Sequence, residues 1–276
     1  MISDPIFIGG LFKSGTSLFR AMLGQHSCIA AGLETYWFEI DWEAQHGRGR
    51  EPLDDYVVRI AEFFDIEPDW ARRVAERSRS APEFVTSVLD EFATRQGKRR
   101  WAEKTPGNIL HVPRIFENWP DAKIVHIVRD PRDVYASLRQ VRKWDSVEVF
   151  GDLWCAFIEA GAEAARTNVV HEIRYEDLIL NPEVCMRHVL EFIGESWEPN
   201  VSKFLGKSED YDKVMAISGT ASSTLDRLRH PLTDRRIGIW RNLIEPNELE
   251  SLRQFIVDRN LGGLYDLITA TTPLKT

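Results

Sequence analysis

Residues 5–27, PIFIGGLFKSGTSLFRAMLGQHS, constrain the fold most tightly, because three kinds of local chemistry follow one another there. An apolar run meets Gly9 and Gly10, Lys13-Ser14-Gly15-Thr16-Ser17 follows, and residues 17–25 then space their apolar side chains at the helical period. Glycines let successive N–H groups turn inward, and the start of a helix adds unpaired N–H groups and the positive end of its dipole. A strand, a glycine turn and hydroxyls opening a helix make a loop suited to an anion. The competing reading is a plain strand-to-helix turn capped by Ser or Thr.

The lysine is displaced from its place in the usual nucleotide loop. That loop puts Lys directly after its last glycine, and then the hydroxyl that holds magnesium. Here Thr16 follows Gly15, and Lys13 comes two residues before that glycine. A nucleoside triphosphate carries enough charge at its reacting end to need the metal. A sulfuryl group, monoanionic as its ester, suits donors and lysines alone, so no metal is expected.

Apolar runs ending in polar chemistry recur in RWAEKTP (100–106), KIVHIVRDP (123–131) and VVHEIRYEDL (169–178). Helical spacing appears between or after them, over 134–142 and 153–166. Strands alternating with helices predict βαβ units and a mostly parallel α/β sheet covered on both faces. Ligands of such sheets sit at the carboxyl ends of the strands, where the chemically interesting residues fall. Residues 35–98 differ, reading as short amphipathic helices inserted between early strands.

Charge and cysteine content narrow the function. A net charge of −8 argues against a nucleic-acid surface, and nothing approaches the ~20 apolar residues of a membrane span. Cys28, Cys155 and Cys185, odd in number and without metal-ligand spacing, fit reduced thiols and a cytoplasmic location, with no secretory leader read at the start. Positive charge is local, with Arg227, Arg229, Arg235, Arg236 and Arg241 in one stretch. That clustering suits an anionic ligand or a solvated basic face.

KIVHIVRDPRDVYASL repeats the strand-to-helix geometry, with Pro131 at a favoured first helical position. Arg129 stands where it can grip a phosphate with both guanidinium arms, and Asp133 and Ser137 lie four apart on one helical face. Asp130 and Arg132 read as turn and surface pairing. Two anion sites on one sheet suit a nucleotide with phosphates at both ends.

Here the chain resembles sulfotransferases that use 3′-phosphoadenosine 5′-phosphosulfate (PAPS). GGLFKSGTSLFRAML is similar to the family's 5′-phosphosulfate loop, IVRDPRDVYASL to its 3′-phosphate motif, and AEKTPGN, IRYEDLILNPE and GIWRNL fall in family order. Arg20-Ala21-Met22-Leu23, His26 and Gly32-Leu33-Glu34-Thr35 resemble the tyrosylprotein sulfotransferases and their bacterial relatives most. The resemblance implies a P-loop-type three-layer fold with a central sheet of about five strands. It implies one sulfotransferase domain over 1–276, with a nucleotide-closing segment near 218–243. It places the 5′-phosphosulfate on Lys13, Ser14, Gly15, Thr16 and Ser17 and the 3′-phosphate on Arg129 and Ser137. Tyr175 lies near the nucleotide, and Ser223, in STLDR, in the segment closing over it.

The phenol and steroid sulfotransferases carry a histidine base two residues after the catalytic lysine; here Pro106 stands there. Arg235 and Arg236 are shifted from the family's phosphate-binding pair. Lys104, with Lys13, is expected to meet the leaving phosphate's charge. Glu34 is expected to be the base, its pKa raised toward neutrality by burial. His111 is the alternative base, and His126 reads as a core histidine. Tyr36, Trp37, Phe38 and Trp42 form either an acceptor wall or core. The expected reaction is sulfuryl transfer to a hydroxyl or amine of a small molecule or carbohydrate. A P-loop small-molecule kinase, protein-tyrosine sulfation and a non-catalytic nucleotide-binding protein are the alternatives.

Overall fold

The computed structural model describes residues 4–142, 146–207 and 209–269. The single domain expected over 1–276 therefore includes residues 1–3, 143–145, 208 and 270–276, which lie outside the described residues. Among the described residues five strands form one sheet: β1 (Ile6–Gly9), β2 (Ile29–Ala31), β3 (Arg100–Lys104), β4 (Lys123–Val128) and β5 (Val170–Arg174). Their spatial order is β2-β3-β1-β4-β5, and every pairing is parallel. Parallel strands need long crossovers, and helices supply them.

Helix α1 (Thr16–Leu23) follows β1; α2 (Leu53–Phe63), α3 (Pro68–Arg77) and α4 (Ala81–Arg95) fill the insert between β2 and β3. Helices α5 (Val112–Asn118), α6 (Pro131–Arg142), α7 (Val147–Ala164), α8 (Tyr175–Leu180) and α9 (Pro182–Ile193) flank the last two strands. The chain continues through α10 (Glu209–Ser218), α11 (Ser223–Leu228), α12 (Pro246–Asp258) and α13 (Gly262–Thr269). The helix expected from residue 153 starts at Val147, because the Ser146 hydroxyl accepts from the Val149 N–H at 3.2 Å and caps an earlier turn.

Alternation along the strands divides the core. Ile6, Ile8, Ala102, Val125 and Ile127 face one layer, while Phe7, Trp101, Ile124 and Val128 face the other. Both faces are covered, so the strands read as near-continuous apolar runs. On the second face the Phe7 ring meets Trp101 at 5.6 Å and Trp119 at 4.9 Å between centroids, and the Trp119–Trp37 centroid separation is 5.1 Å. The Phe7–Trp101 and Trp37–Trp119 pairs meet edge-on and the Phe7–Trp119 pair is tilted at 51°, arrangements that aromatic rings favour.

Because all five strands run the same way, their carboxyl ends share one edge. Gly9 there leads into the loop carrying Lys13, and β3 ends on Lys104. Arg129 follows β4 directly, Tyr175 follows β5, and Glu34 comes three residues after β2. Strand β1 lies between β3 and β4, so the first loop leaves the sheet where the chain's order reverses.

Candidate active site

The first loop is shaped by backbone that only small residues adopt easily. Gly15, the N-cap of α1, has φ 100°, and having no side chain it leaves the first N–H groups of α1 uncapped. A Cβ on Gly15 would lie 2.4 Å from Cδ2 of Tyr175. Lys13 itself has φ 71°, a conformation costly for a long side chain, and the Ser14 N–H to Leu11 carbonyl bond (3.0 Å) closes the turn around it. Thr16 and Ser17 line the large cleft beside the loop with Gly15, whereas Ser14 is buried.

Lys13 reaches across to α11, where its Nζ lies 2.8 Å from Oγ1 of Thr224 and 3.5 Å from Oγ of Ser223. The better-placed hydroxyl is thus Thr224, one residue past the expected Ser223. Sequence spacing along a six-residue helix does not say which hydroxyl turns inward.

The segment read as a second anion motif puts Arg129 directly after β4 and Ser137 on α6, and further residues join them. Arg129 is almost fully buried, donates to the Lys13 carbonyl at 2.8 Å and to the Arg236 carbonyl, and lies 4.3 Å over the Tyr175 ring. Arg236 comes to the same place, its Nη2 3.3 Å from Oγ of the buried Ser137. Arg235 is exposed at the rim of the same cavity. The cavity has a volume of about 280 Å³ and is bounded by Lys13, Gly15, Arg129, Tyr175 and Arg227 as well. Nε of Arg129 and Nε of Arg236 are buried without a hydrogen-bond partner among the described residues. Burial and then repulsion from Arg129 hold Arg227 below the usual guanidinium range, and Arg236 is lowered by burial, then Arg227, then Arg129. Three mutually repelling guanidiniums around a small cavity are ready for an anion.

Asp133 faces the closing segment. Its carboxylate accepts from the N–H groups of Gly238 (2.7 Å) and Trp240 (3.1 Å), tying that segment to α6. This clamp carried no signal in the sequence beyond the position of Asp133 in the first turn of α6. Asp130 pairs with Arg132, as expected.

The larger cleft has a volume of about 810 Å³. At its base the Lys104 ammonium donates to Glu34, and the Tyr36 hydroxyl donates to the other Glu34 oxygen. Burial alone would raise the Glu34 pKa, but the Lys104 charge and the hydrogen bonds from Lys104 and Tyr36 prevail, holding it below the usual carboxylate range. The expected upward shift is therefore reversed. An ion-pair partner at hydrogen-bond distance outweighs desolvation here.

The four aromatics after Glu34 divide. Tyr36 and Phe38 line the cleft, and Arg48 lies 3.4 Å over the Tyr36 ring. Trp37 is fully buried and donates to Asn108 at 3.0 Å, and Trp42 packs on Phe84, so both belong to the core. His111 lines the cleft with its ring stacked on Phe38 at 4.1 Å. His126 is buried and its Nδ1 lies 3.0 Å from Glu172, the core role expected.

A glycine loop at a switch point, opening on two joined cavities lined with cationic side chains, defines an α/β protein that handles an anionic nucleotide. Residues 5–199 match the sulfotransferase family profile, and the chain belongs to that family. It is 28% identical to omega-hydroxy-beta-dihydromenaquinone-9 sulfotransferase Stf3 of Mycobacterium tuberculosis, over 76% of this chain and 69% of that protein. It is 26% identical to protein-tyrosine sulfotransferase A of Caenorhabditis elegans over 77% of this chain, spanning 56% of that relative's length. In three dimensions it is similar to the sulfotransferase domain of the Synechococcus PCC 7002 olefin synthase. The TM-score is 0.66 at 17% identity, covering 92% of this chain and 95% of that one. Mouse sulfotransferase SULT7A1, complexed with PAP, gives 0.52 at 16% identity, with 96% and 88% covered. Among the described residues no helix is long and apolar enough to cross a membrane.

Proposed function

We propose that this enzyme transfers the sulfuryl group of PAPS to a hydroxyl or amine of a small molecule or carbohydrate, without a metal. The observation that carries this reading is the pair of cavities meeting at Lys13 and Gly15, one ringed by arginines and the other holding Lys104 and Glu34.

Lys13, Gly15, Thr16, Ser17 and the start of α1 take the 5′-phosphosulfate. Arg129, Arg236 and Ser137 take the 3′-phosphate, with Tyr175 beside the nucleotide. The acceptor enters the 810 Å³ cleft, a volume suited to a small ligand. Glu34 accepts the acceptor's proton, and the freed oxygen attacks sulfur in line. The bond from sulfur to the bridging oxygen breaks, and Lys104 with Lys13 meets the negative charge developing on the departing 3′,5′-ADP. The Glu34–Lys104 pair must part for this, Lys104 turning to the nucleotide and Glu34 to the acceptor.

The test is calorimetry with PAPS and 3′,5′-ADP in EDTA, then a screen of alcohols, phenols, amines and sugars with ³⁵S-labelled PAPS. Binding in EDTA and labelling of one acceptor class are expected. Binding that disappears with EDTA sinks the metal-free reading. A labelled tyrosine peptide, with no labelled small molecule, sinks the proposed acceptor class.

A further inference from the structure

Glu103 directly precedes Lys104 in β3 and bonds the neighbour of Glu34, and it does not itself line the cleft. It is fully buried in β3, and its side chain accepts four hydrogen bonds. Oε1 takes the Thr35 N–H at 3.1 Å, the Thr35 hydroxyl at 2.8 Å and the Thr105 hydroxyl at 2.6 Å, and Oε2 takes Nδ2 of Asn108 at 2.6 Å. Thr35 is the neighbour of Glu34, and Thr105 is the neighbour of Lys104. The Thr105 oxygen also accepts the Tyr36 N–H at 3.2 Å. One carboxylate thus binds both chain segments, from strands β2 and β3, immediately beside the two groups that must act together. Among the described residues its hydrogen-bond partners are all neutral donors. A buried carboxyl group without a cation is expensive, and burial pushes its pKa up.

We propose that Glu103 is a positioning residue, a buried staple that fixes, through Thr35 and Thr105, the backbone from which the Glu34 and Lys104 side chains extend and turn. The inference rests on the roles proposed for Glu34 and Lys104. A core that needed only filling would be served by an apolar side chain at lower cost. What the carboxylate adds is geometry: four bonds converging on one group tie both segments together, where reacting groups need placing to about 0.5 Å.

Glu103→Gln tests this directly. It keeps the size, but its amide N–H groups oppose those of Asn108, whose Oδ1 is held by Trp37. With the acceptor found by the ³⁵S screen, kcat is expected to fall roughly 10- to 100-fold, as expected for displaced reacting groups. KM for PAPS and the Kd for 3′,5′-ADP should change less than about threefold. Thr35→Val, milder and still able to offer its N–H, should lose kcat in the same selective way should Glu103→Gln fail to fold. If folded Glu103→Gln keeps wild-type kcat, or if both single variants lose 3′,5′-ADP binding in proportion to kcat, the staple is overturned. Glu34→Gln and Lys104→Ala, assayed alongside, separate the two failures. Wild-type kcat in those two overturns the proposed roles, and the staple with them.

Discussion

Lys13 Nζ lies 2.8 Å from Oγ1 of Thr224, so a loop at the start of the chain is closed by a helix 211 residues later. Arg129 braces the same loop through the Lys13 carbonyl. The first anion loop and the arginine cavity are therefore one mechanical unit. Residues that tie them together act on both.

The first prediction concerns that closure. If the nucleotide's phosphosulfate claims the Lys13 ammonium, Thr224 competes with it in the unliganded protein. Thr224→Val should then leave the Kd for 3′,5′-ADP unchanged or tighten it by up to ~10-fold, the worth of one hydrogen bond. Lys13→Ala should weaken PAPS binding. A Thr224→Val variant that binds tenfold worse places that hydroxyl on the nucleotide instead of on Lys13.

The second prediction separates the two phosphate sites. Arg129→Ala should weaken 3′,5′-ADP by roughly 10- to 100-fold, the loss of a charge-assisted bidentate contact, while 5′-AMP is affected far less. Part of the effect on 5′-AMP will be indirect, because Arg129 also holds the Lys13 carbonyl. Arg236→Ala should follow the same pattern, and Arg235→Ala, exposed at the rim, should not. Equal losses for both nucleotides in calorimetry would move Arg129 away from the 3′-phosphate.

Much of this was legible before the fold was known, and the residues show why. A loop such as 9–17 carries its own geometry, since the glycines, the hydroxyls and the following helix are contiguous. Arg129 and Lys104 were legible because each stands at the end of a strand, and a parallel sheet gathers strand ends on one edge, whereas Tyr175 came from the family resemblance. The pairing of Asp133 with the Gly238 and Trp240 N–H groups, and the placement of Arg236 and Thr224, were not legible. Each joins segments separated by about a hundred residues or more, and no local period reports such a contact. The sign of the Glu34 shift was missed for the same reason. Burial near aromatics is visible in sequence, but an ion pair with a lysine 70 residues away is not.

The third prediction isolates charge on the leaving group. Lys104→Ala should lower kcat by roughly 10²-fold or more while the Kd for PAPS changes much less, because charge grows on the bridging oxygen only as sulfur departs. A variant that raises KM for PAPS at unchanged kcat makes Lys104 a binding residue.

The last prediction follows the proton. In the free enzyme burial raises the Glu34 pKa, but Lys104 overrides it and holds the value below the ordinary 4.5. A base works only when unprotonated, so kcat/KM, which reports the free enzyme, should fall only as pH drops below the usual carboxylate range. On the proposed mechanism Lys104 turns to the nucleotide in the loaded complex, and the upward pull of burial on Glu34 is left less opposed. The acid limb of kcat should therefore lie at higher pH than that of kcat/KM. Lys104→Ala removes the lowering partner outright, so in that variant the acid limb of kcat/KM should move up toward the limb of kcat. Stability carries the same sign: a depressed carboxylate contributes above its unfolded pKa, and that contribution is lost as pH falls through the folded value. Glu34→Gln should retain 3′,5′-ADP binding and lose roughly 10²- to 10⁴-fold in kcat, with the acid limb gone. His111, lowered by burial and then by Arg114, gives the contrast. If His111→Ala is dead while Glu34→Gln turns over, the base is the histidine, and the acid limb will then belong to an imidazole and survive in Glu34→Gln.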